Sequence, residues 1–309
     1  MGIEHIKYAD RDEWLAIRRQ YIGGSDAGSI VGMNPYKSAY TLWAEKTGKA
    51  PEFDGNLTTE VGAYLEEFVA KMFEKETDKK VKRHNATMVN DKYPYACANA
   101  DRLVVGERAL LEIKTTNSLP NMKKIKGGEF PDAWYCQMTH YLAVSELDKA
   151  YLAVLVNCRD FYIFELDRDE EEIAALMTAE AEFARCVIND TPPAVDGLDS
   201  TSDTLCAIYS ESDDSEVNLM AYEKDLREYM SLNAQIKSLK ALADEKANSI
   251  KAFIGNAGRG ISDGFKVSWL SSERTTFDYK SFMSDRPDID YTNYIKKTST
   301  RTFRVNERK

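Results

Sequence analysis

Residues 98–116, Ala-Asn-Ala-Asp-Arg-Leu-Val-Val-Gly-Glu-Arg-Ala-Leu-Leu-Glu-Ile-Lys-Thr-Thr, constrain the fold more than any other stretch of the 309-residue chain. Two apolar runs flank Gly106-Glu107, and a glycine-containing pair between such runs predicts a two-residue hairpin turn. Pairing then runs from Val105 with Arg108 and Val104 with Ala109 outward, which sets Asp101 opposite Glu112. Directly opposed side chains have Cβ atoms about 4.5–5.5 Å apart. Two carboxylates at that spacing repel unless a cation lies between them, and a divalent metal supplies one. Period-two alternation also sets Glu112 and Lys114 on one face, with Leu111, Ile113 and Thr115 on the other. Acid, acid and ammonium therefore converge, unless a bulge shifts the register. The plainer alternative is a wet sheet face on which Asp101 and Glu112 are solvated and Lys114 is a cross-strand partner.

A third acid belongs to a helix predicted over Thr59–Lys75, with an apolar line at Val61, Leu65, Phe68 and Met72 widened by Val69 and Phe73. Glu60, Glu67 and Glu74 fall opposite that arc. Glu66 lies just past its edge, with Gly62 one turn back, where a carboxylate is partly desolvated and needs a partner. An ordinary boundary glutamate is the alternative. On the helix after the Lys114 strand, Gln137 and Tyr141 are four residues apart and within reach of that lysine or of a phosphate. Lys123, Lys124 and Lys126 before Gly127-Gly128 read as a loop with a local basic patch.

Further elements place these residues. Helices are expected over Asp12–Gln20, Ser38–Lys46, Asp132–Ser145 and Asp169–Ile188, and strands over Tyr95–Val105, Arg108–Thr115, Ala150–Val156 and Phe161–Leu166. Such an order indicates an α/β or α+β sheet domain over residues 1–196. An acidic stretch over 197–216, which includes Leu205–Tyr209 as a possible small packed element, reads as a linker; no basic residue lies between Arg185 and Lys224. Residues 217–309 differ in kind. No Gly or Pro interrupts Val217–Ile254, which makes either one rod of roughly 55 Å or a helical hairpin. Gly264–Ser271 with Arg274–Asp278 then reads as a β-hairpin, followed by a tail with Lys296, Lys297, Arg301, Arg304, Arg308 and Lys309.

Composition removes several function classes. No run of about 18 apolar residues is present and the N-terminus is not a signal peptide, so a cytoplasmic address is expected. Five cysteines, with no C-x-x-C, argue against a disulfide framework, a structural zinc or a four-cysteine cluster. Gly-x-Gly-x-x-Gly and P-loop patterns are absent. A net charge of −10 argues at first sight against nucleic-acid binding, which needs clustered Lys and Arg.

Asp101 followed by Glu112-Ile113-Lys114, with Gln137-x-x-x-Tyr141 behind, resembles the PD-(D/E)xK nuclease signature, although Ala100 stands where the signature has proline. Tyr21–Ser38, Leu103–Gly106, Leu111–Asn117 and Gln137–Tyr141 resemble, in order, the YqaJ-type viral recombinases related to lambda exonuclease, over about residues 10–195. The resemblance implies a restriction-endonuclease-like mixed sheet flanked by helices. It implies two Mg²⁺ (or Mn²⁺) ions held by Glu66, Asp101, Glu112 and the Ile113 carbonyl, with Lys114 and Gln137 as further catalytic residues. It also implies that Arg18 and Ser25, the latter read as the N-cap of a helix over Asp26–Val31, grip a 5′-phosphate, with Asn99 completing the pocket and Tyr141 near the DNA. The activity implied is 5′→3′ resection of linear double-stranded DNA by a homo-oligomer, a trimeric ring, in the bacterial host cytoplasm, leaving a 3′ strand for a single-strand annealing protein. An endonuclease, an end-trimmer and a non-catalytic DNA-end scaffold are the alternatives, the last of which predicts loss of one metal carboxylate.

Overall fold

The computed structural model describes residues 2–51, 55–295 and 301–306. The chain divides into two compact units, Met1–Tyr209 and Ser210–Lys309. The first begins with β1 (Ile3–Lys7), α1 (Arg11–Arg19), β2 (Ile22–Gly23), α2 (Gly24–Ile30), α3 (Ala39–Lys46), α4 (Leu57–Thr77), β3 (Val81–Lys82) and β4 (Ala86–Asn90). It continues with β5 (Ala96–Ala98), β6 (Arg102–Val104), β7 (Ala109–Thr116), α5 (Leu119–Lys126) and α6 (Asp132–Ser145). β8 (Lys149–Val156), β9 (Asp160–Asp167), α7 (Glu170–Ile188) and α8 (Asp199–Ile208) complete it.

The central sheet has the order β3-β6-β7-β8-β9, in which only β7 and β8 run parallel. A parallel pair is covered on both faces, which is why Ala109–Ile113 and Ala150–Val156 are almost unbroken apolar runs. On one face Val69, Ala70 and Phe73 of α4 pack on Leu111, Ile113 and Ala153. On the other, Met138 and Leu142 of α6 and Ile173 of α7 pack on Leu110, Leu152 and Val154. The result is the expected mixed sheet flanked by helices. A second sheet, β1-β4-β5-β2, stands beside it.

Several expectations are corrected. Tyr95–Val105 is not one strand, because the chain changes sheets within it: β5 pairs with β4, β6 pairs with β7, and Asn99 and Asp101 lie in the gap. The contact face of α4 is rotated from the expected line, leaving Val61 43% and Phe68 51% exposed. Val69, Ala70 and Phe73 form that face against β7 and β8, and a Cβ on Gly62 would meet Thr115 Oγ1 at an ordinary contact distance of 3.5 Å. Lys123, Lys124 and Lys126 close a helix, α5, instead of lying in a loop, and Lys124 and Lys126 pair with Asp132 and Asp160. The stretch 197–216 is not all linker, because α8 docks on α3 through Thr41, whose hydroxyl donates to the Ser200 carbonyl at 2.9 Å. The first unit accordingly extends to Tyr209.

In the second unit α9 (Glu223–Ile254) is a single 32-residue helix, about 48 Å long. The hairpin falls earlier than expected, between β10 (Arg259–Ile261) and β11 (Lys266–Ser268), because Asp263-Gly264 makes the turn and Ser262 N–H donates to the Phe265 carbonyl at 2.9 Å. A short helix, α10 (Tyr279–Asp285), follows. Of the basic tail, Lys296, Lys297, Arg308 and Lys309 lie outside the described residues. No described helix is long and apolar enough to cross a membrane.

Candidate active site

The β6–β7 register, Arg102 with Leu111 and Leu103 with Leu110, carried one step outward brings Asp101 level with Glu112. Asp101 Oδ2 accepts the Ile113 N–H at 2.7 Å. Glu112 is 3% exposed, and its Oε1 accepts from both Lys114 Nζ and Gln137 Nε2 at 2.7 Å. Gln137 also donates to the Tyr141 hydroxyl at 3.0 Å. The second oxygen of Glu112, Oε2, is buried without any hydrogen-bond partner. Burial and then the Glu112 and Glu66 charges push Asp101 well above the usual carboxylate range, against the pull of Lys114 and the Ile113 N–H. Burial, Glu112 and Asp101 likewise hold the Tyr141 phenol protonated.

The Glu66 charge acts on Asp101 from the α4 side of the sheet. Leu111 and Ile113 face α4 whereas Glu112 faces Gln137 on α6, so the gap between β5 and β6 is where the two carboxylates approach a common neighbour. Here Glu66 accepts from Arg102 Nη1, which also donates to the Asp101 carbonyl at 2.6 Å, while Nη2 reaches Glu67 at 3.1 Å. With Glu66 held in this way, no group of three or more acid, His or Cys side chains that could hold a metal ion forms among the described residues. Asp101 and Glu112 alone still fit a hard cation. A buried carboxylate oxygen with no donor beside a carboxyl driven toward neutrality is an arrangement that a divalent ion would relieve.

A second constellation adjoins the first. Arg18 donates to Ser25 Oγ and stacks on Trp14, 5.3 Å from its ring centroid. Trp14 Nε1 donates to Asn99 Oδ1 at 3.1 Å, and Thr87 holds the same oxygen at 2.8 Å. Arg18, Ser25 and Asn99 are thus linked through one indole. Ser25 is not an N-cap: α2 starts at Gly24, and the Asp26 carboxylate takes the Gly23 N–H at 3.1 Å, which frees the serine hydroxyl to face Arg18. Burial alone would raise Asp26, but Lys46, at 3.2 Å, and Arg18 hold it below its ordinary value. Arg11, Arg18, Arg19, Lys37 and Lys46 line a cleft of about 450 Å³ that contains two carboxylates, Asp26 and Glu45. Gly24 fixes how closely this group meets the first, since a Cβ there would stand 2.4 Å from Tyr141 Cε1.

Four features are absent from the sequence reading. Arg102 carried a usable signal: an arginine on the apolar, α4-facing side of its strand must find acids there. Tyr8, whose phenol is raised by burial and by Glu66, carried none. The Asp26–Lys46 pair and a buried His140–Glu180 pair join residues 20 and 40 positions apart, beyond any local pattern.

Residues 13–148 match the family model of the YqaJ-like viral recombinase domain. Protein YqaJ of Bacillus subtilis (strain 168) is 36% identical over 303 residues, covering 96% of this chain and 94% of that one. Protein D345L of African swine fever virus (strain Badajoz 1971 Vero-adapted) is 60% identical over 35 residues, 11% of this chain and 10% of that protein. Among solved structures, the alkaline exonuclease LHK-Exo of Laribacter hongkongensis superposes with a TM-score of 0.52 at 20% identity, covering 59% of this chain and 94% of that one, a likeness of fold. The near full-length relationship to YqaJ, together with the domain match, makes this chain a member of the YqaJ-like viral recombinase family.

Proposed function

We propose that the chain is a metal-dependent 5′→3′ exonuclease that resects linear double-stranded DNA and leaves a 3′ strand for a single-strand annealing protein. The observation that carries this reading is Glu112, one buried oxygen of which holds Lys114 and Gln137 while the other has no hydrogen-bond partner, in a group whose charge acts on the buried Asp101. Asp101, Glu112 and the Ile113 carbonyl would hold two divalent ions, with Glu66 as the fourth ligand. When bound, Mg²⁺ or Mn²⁺ supplies Lewis acidity at the scissile phosphate and its attacking water. Lys114 positions that water and offsets charge developing on the phosphate, from a place fixed by Glu112 at 2.7 Å. Gln137 holds Glu112 and Tyr141 in one array, and the protonated Tyr141 hydroxyl is a donor for a DNA oxygen. Arg18 and Ser25, steadied by Trp14 and Asn99, bind the 5′-phosphate in the basic cleft. A trimeric ring around the DNA is the assembly implied by the resemblance to lambda exonuclease.

Linear duplex with 5′-hydroxyl ends is expected to be degraded about tenfold or more slowly than the 5′-phosphorylated form, the scale of a charge-assisted hydrogen bond. Arg18→Ala should erase the difference, and a 5′ label should be released before a 3′ label. Equal rates on both ends would remove the phosphate pocket, and earlier release of the 3′ label would overturn the polarity.

A further inference from the structure

A second cleft, of about 400 Å³, opens beside the basic one and shares Ser25 with it. Lys114 and Gln137 also line it, so the catalytic face and this cleft are continuous. Besides these and the polar Asn34, Asn121, Lys124 and Asp132, its lining is apolar and aromatic: Met33, Pro35 and Tyr36 come from the loop after α2, and Pro131 and Trp134 from the start of α6. Tyr36 is 70% exposed, whereas Trp134 is half-buried against the core.

The Tyr36 wall is fixed in place. Met33 and Asn34 N–H groups both donate to the Gly28 carbonyl, at 2.7 and 2.9 Å, and the Tyr36 N–H donates to Asn34 Oδ1 at 2.9 Å. Gly28 in turn packs so closely on Ala133 that a Cβ would stand 2.9 Å from its Cα. One wall of the cleft is therefore tied to the start of the other. An exposed aromatic held on a braced loop at a catalytic mouth is poised to contact a flat ligand, and stacking on it tolerates any base. The Asn34 amide is already engaged by Ser29 and Tyr36, which leaves the braced wall with little means of reading a base edge.

We infer that this cleft is a nucleobase subsite. The terminal nucleotide lies across Ser25, with its 5′-phosphate in the basic cleft, its base stacked on Tyr36 against the Trp134 wall, and its 3′ phosphodiester at Lys114. Stacking on an aromatic face gives grip that tolerates any base, as resection of arbitrary DNA requires. The inference rests on the nuclease reading above.

The test compares 5′-phosphorylated duplexes whose terminal nucleotide is either normal or an abasic tetrahydrofuran analogue, with Mg²⁺ or Mn²⁺ present. Wild-type protein should remove the abasic terminus about tenfold more slowly, the scale of one base–aromatic stack. Tyr36→Ala should slow the normal substrate to the abasic rate, and Tyr36→Phe should restore the difference. Equal wild-type rates on the two substrates, or an abasic penalty that survives in Tyr36→Ala, would overturn the subsite while leaving the nuclease reading intact. Removal of neither terminus would overturn both.

Discussion

Lys114→Ala is expected to slow digestion of linear duplex by about a thousandfold, the scale lost when a positioned donor to developing charge is removed. Glu112→Gln should do the same by a different route, because a neutral amide holds a divalent ion far more weakly than a carboxylate and its nitrogen can face the Gln137 amide now donating to that position. Both variants leave the Arg18–Ser25 cleft untouched, so binding to DNA ends in Ca²⁺ should persist. Single-turnover rates read the loss, and thermal unfolding checks that the fold survives. Full activity of either variant would remove the assignment of this site.

The second large effect concerns stability. His140 is fully buried, its Nδ1 lying 2.8 and 3.0 Å from the Glu180 oxygens and its Nε2 2.8 Å from the Cys97 carbonyl. Both partners are acceptors, so the imidazolium, with two N–H donors, satisfies the geometry. Burial would lower His140, but the Glu180 charge and the hydrogen bonds to Glu180 and Cys97 raise it above its ordinary value. A raised histidine contributes stability that is fully present below its unfolded value of about 6.5 and is lost as pH rises through the folded one. Glu180→Gln is expected to cost about 3–5 kcal/mol near neutral pH, as when one member of a buried pair is removed. That corresponds to a fall in Tm of roughly 10 °C for a unit of this size. The deficit should shrink toward alkaline pH, where the wild-type pair has lost its proton. Tm measured against pH for both proteins checks this, and a deficit that grows with pH would contradict it. The pair joins α6 to α7 and to β5, the elements that carry Gln137, Tyr141 and the approach to Asn99.

The hairpin at the centre of the site was legible because turn chemistry and period-two alternation are local. Two apolar runs around Gly106 predicted the register that levels Asp101 with Glu112 and puts Lys114 on the same face. What escaped was decided by tertiary contact. The rotation of α4 puts Val69, Ala70 and Phe73 on the sheet, a choice of face that hydrophobic periodicity alone does not settle, and leaves Glu66 where Arg102 receives it. The break at Asn99–Asp101 exists because the chain passes from one sheet to the other, and nothing in an apolar run announces a change of partner. Ser25 had the composition of a cap, but the helix starts one residue earlier with Gly23 at the N-cap, and Asp26 at the third helical position takes the Gly23 N–H. His140 and Glu180, both buried, became meaningful only once α6 lay on α7.

The net charge of −10, which seemed to exclude DNA, coexists with a cleft where five cations face two carboxylates, because charge that guides a substrate acts locally. The most direct test of the account is incubation with Mg²⁺ of a 5′-phosphorylated linear duplex alongside a covalently closed circle of the same sequence. The linear form should be degraded and the circle left intact, with no degradation of either in EDTA. Cutting of the closed circle, or degradation of the linear form without a divalent ion, would contradict it.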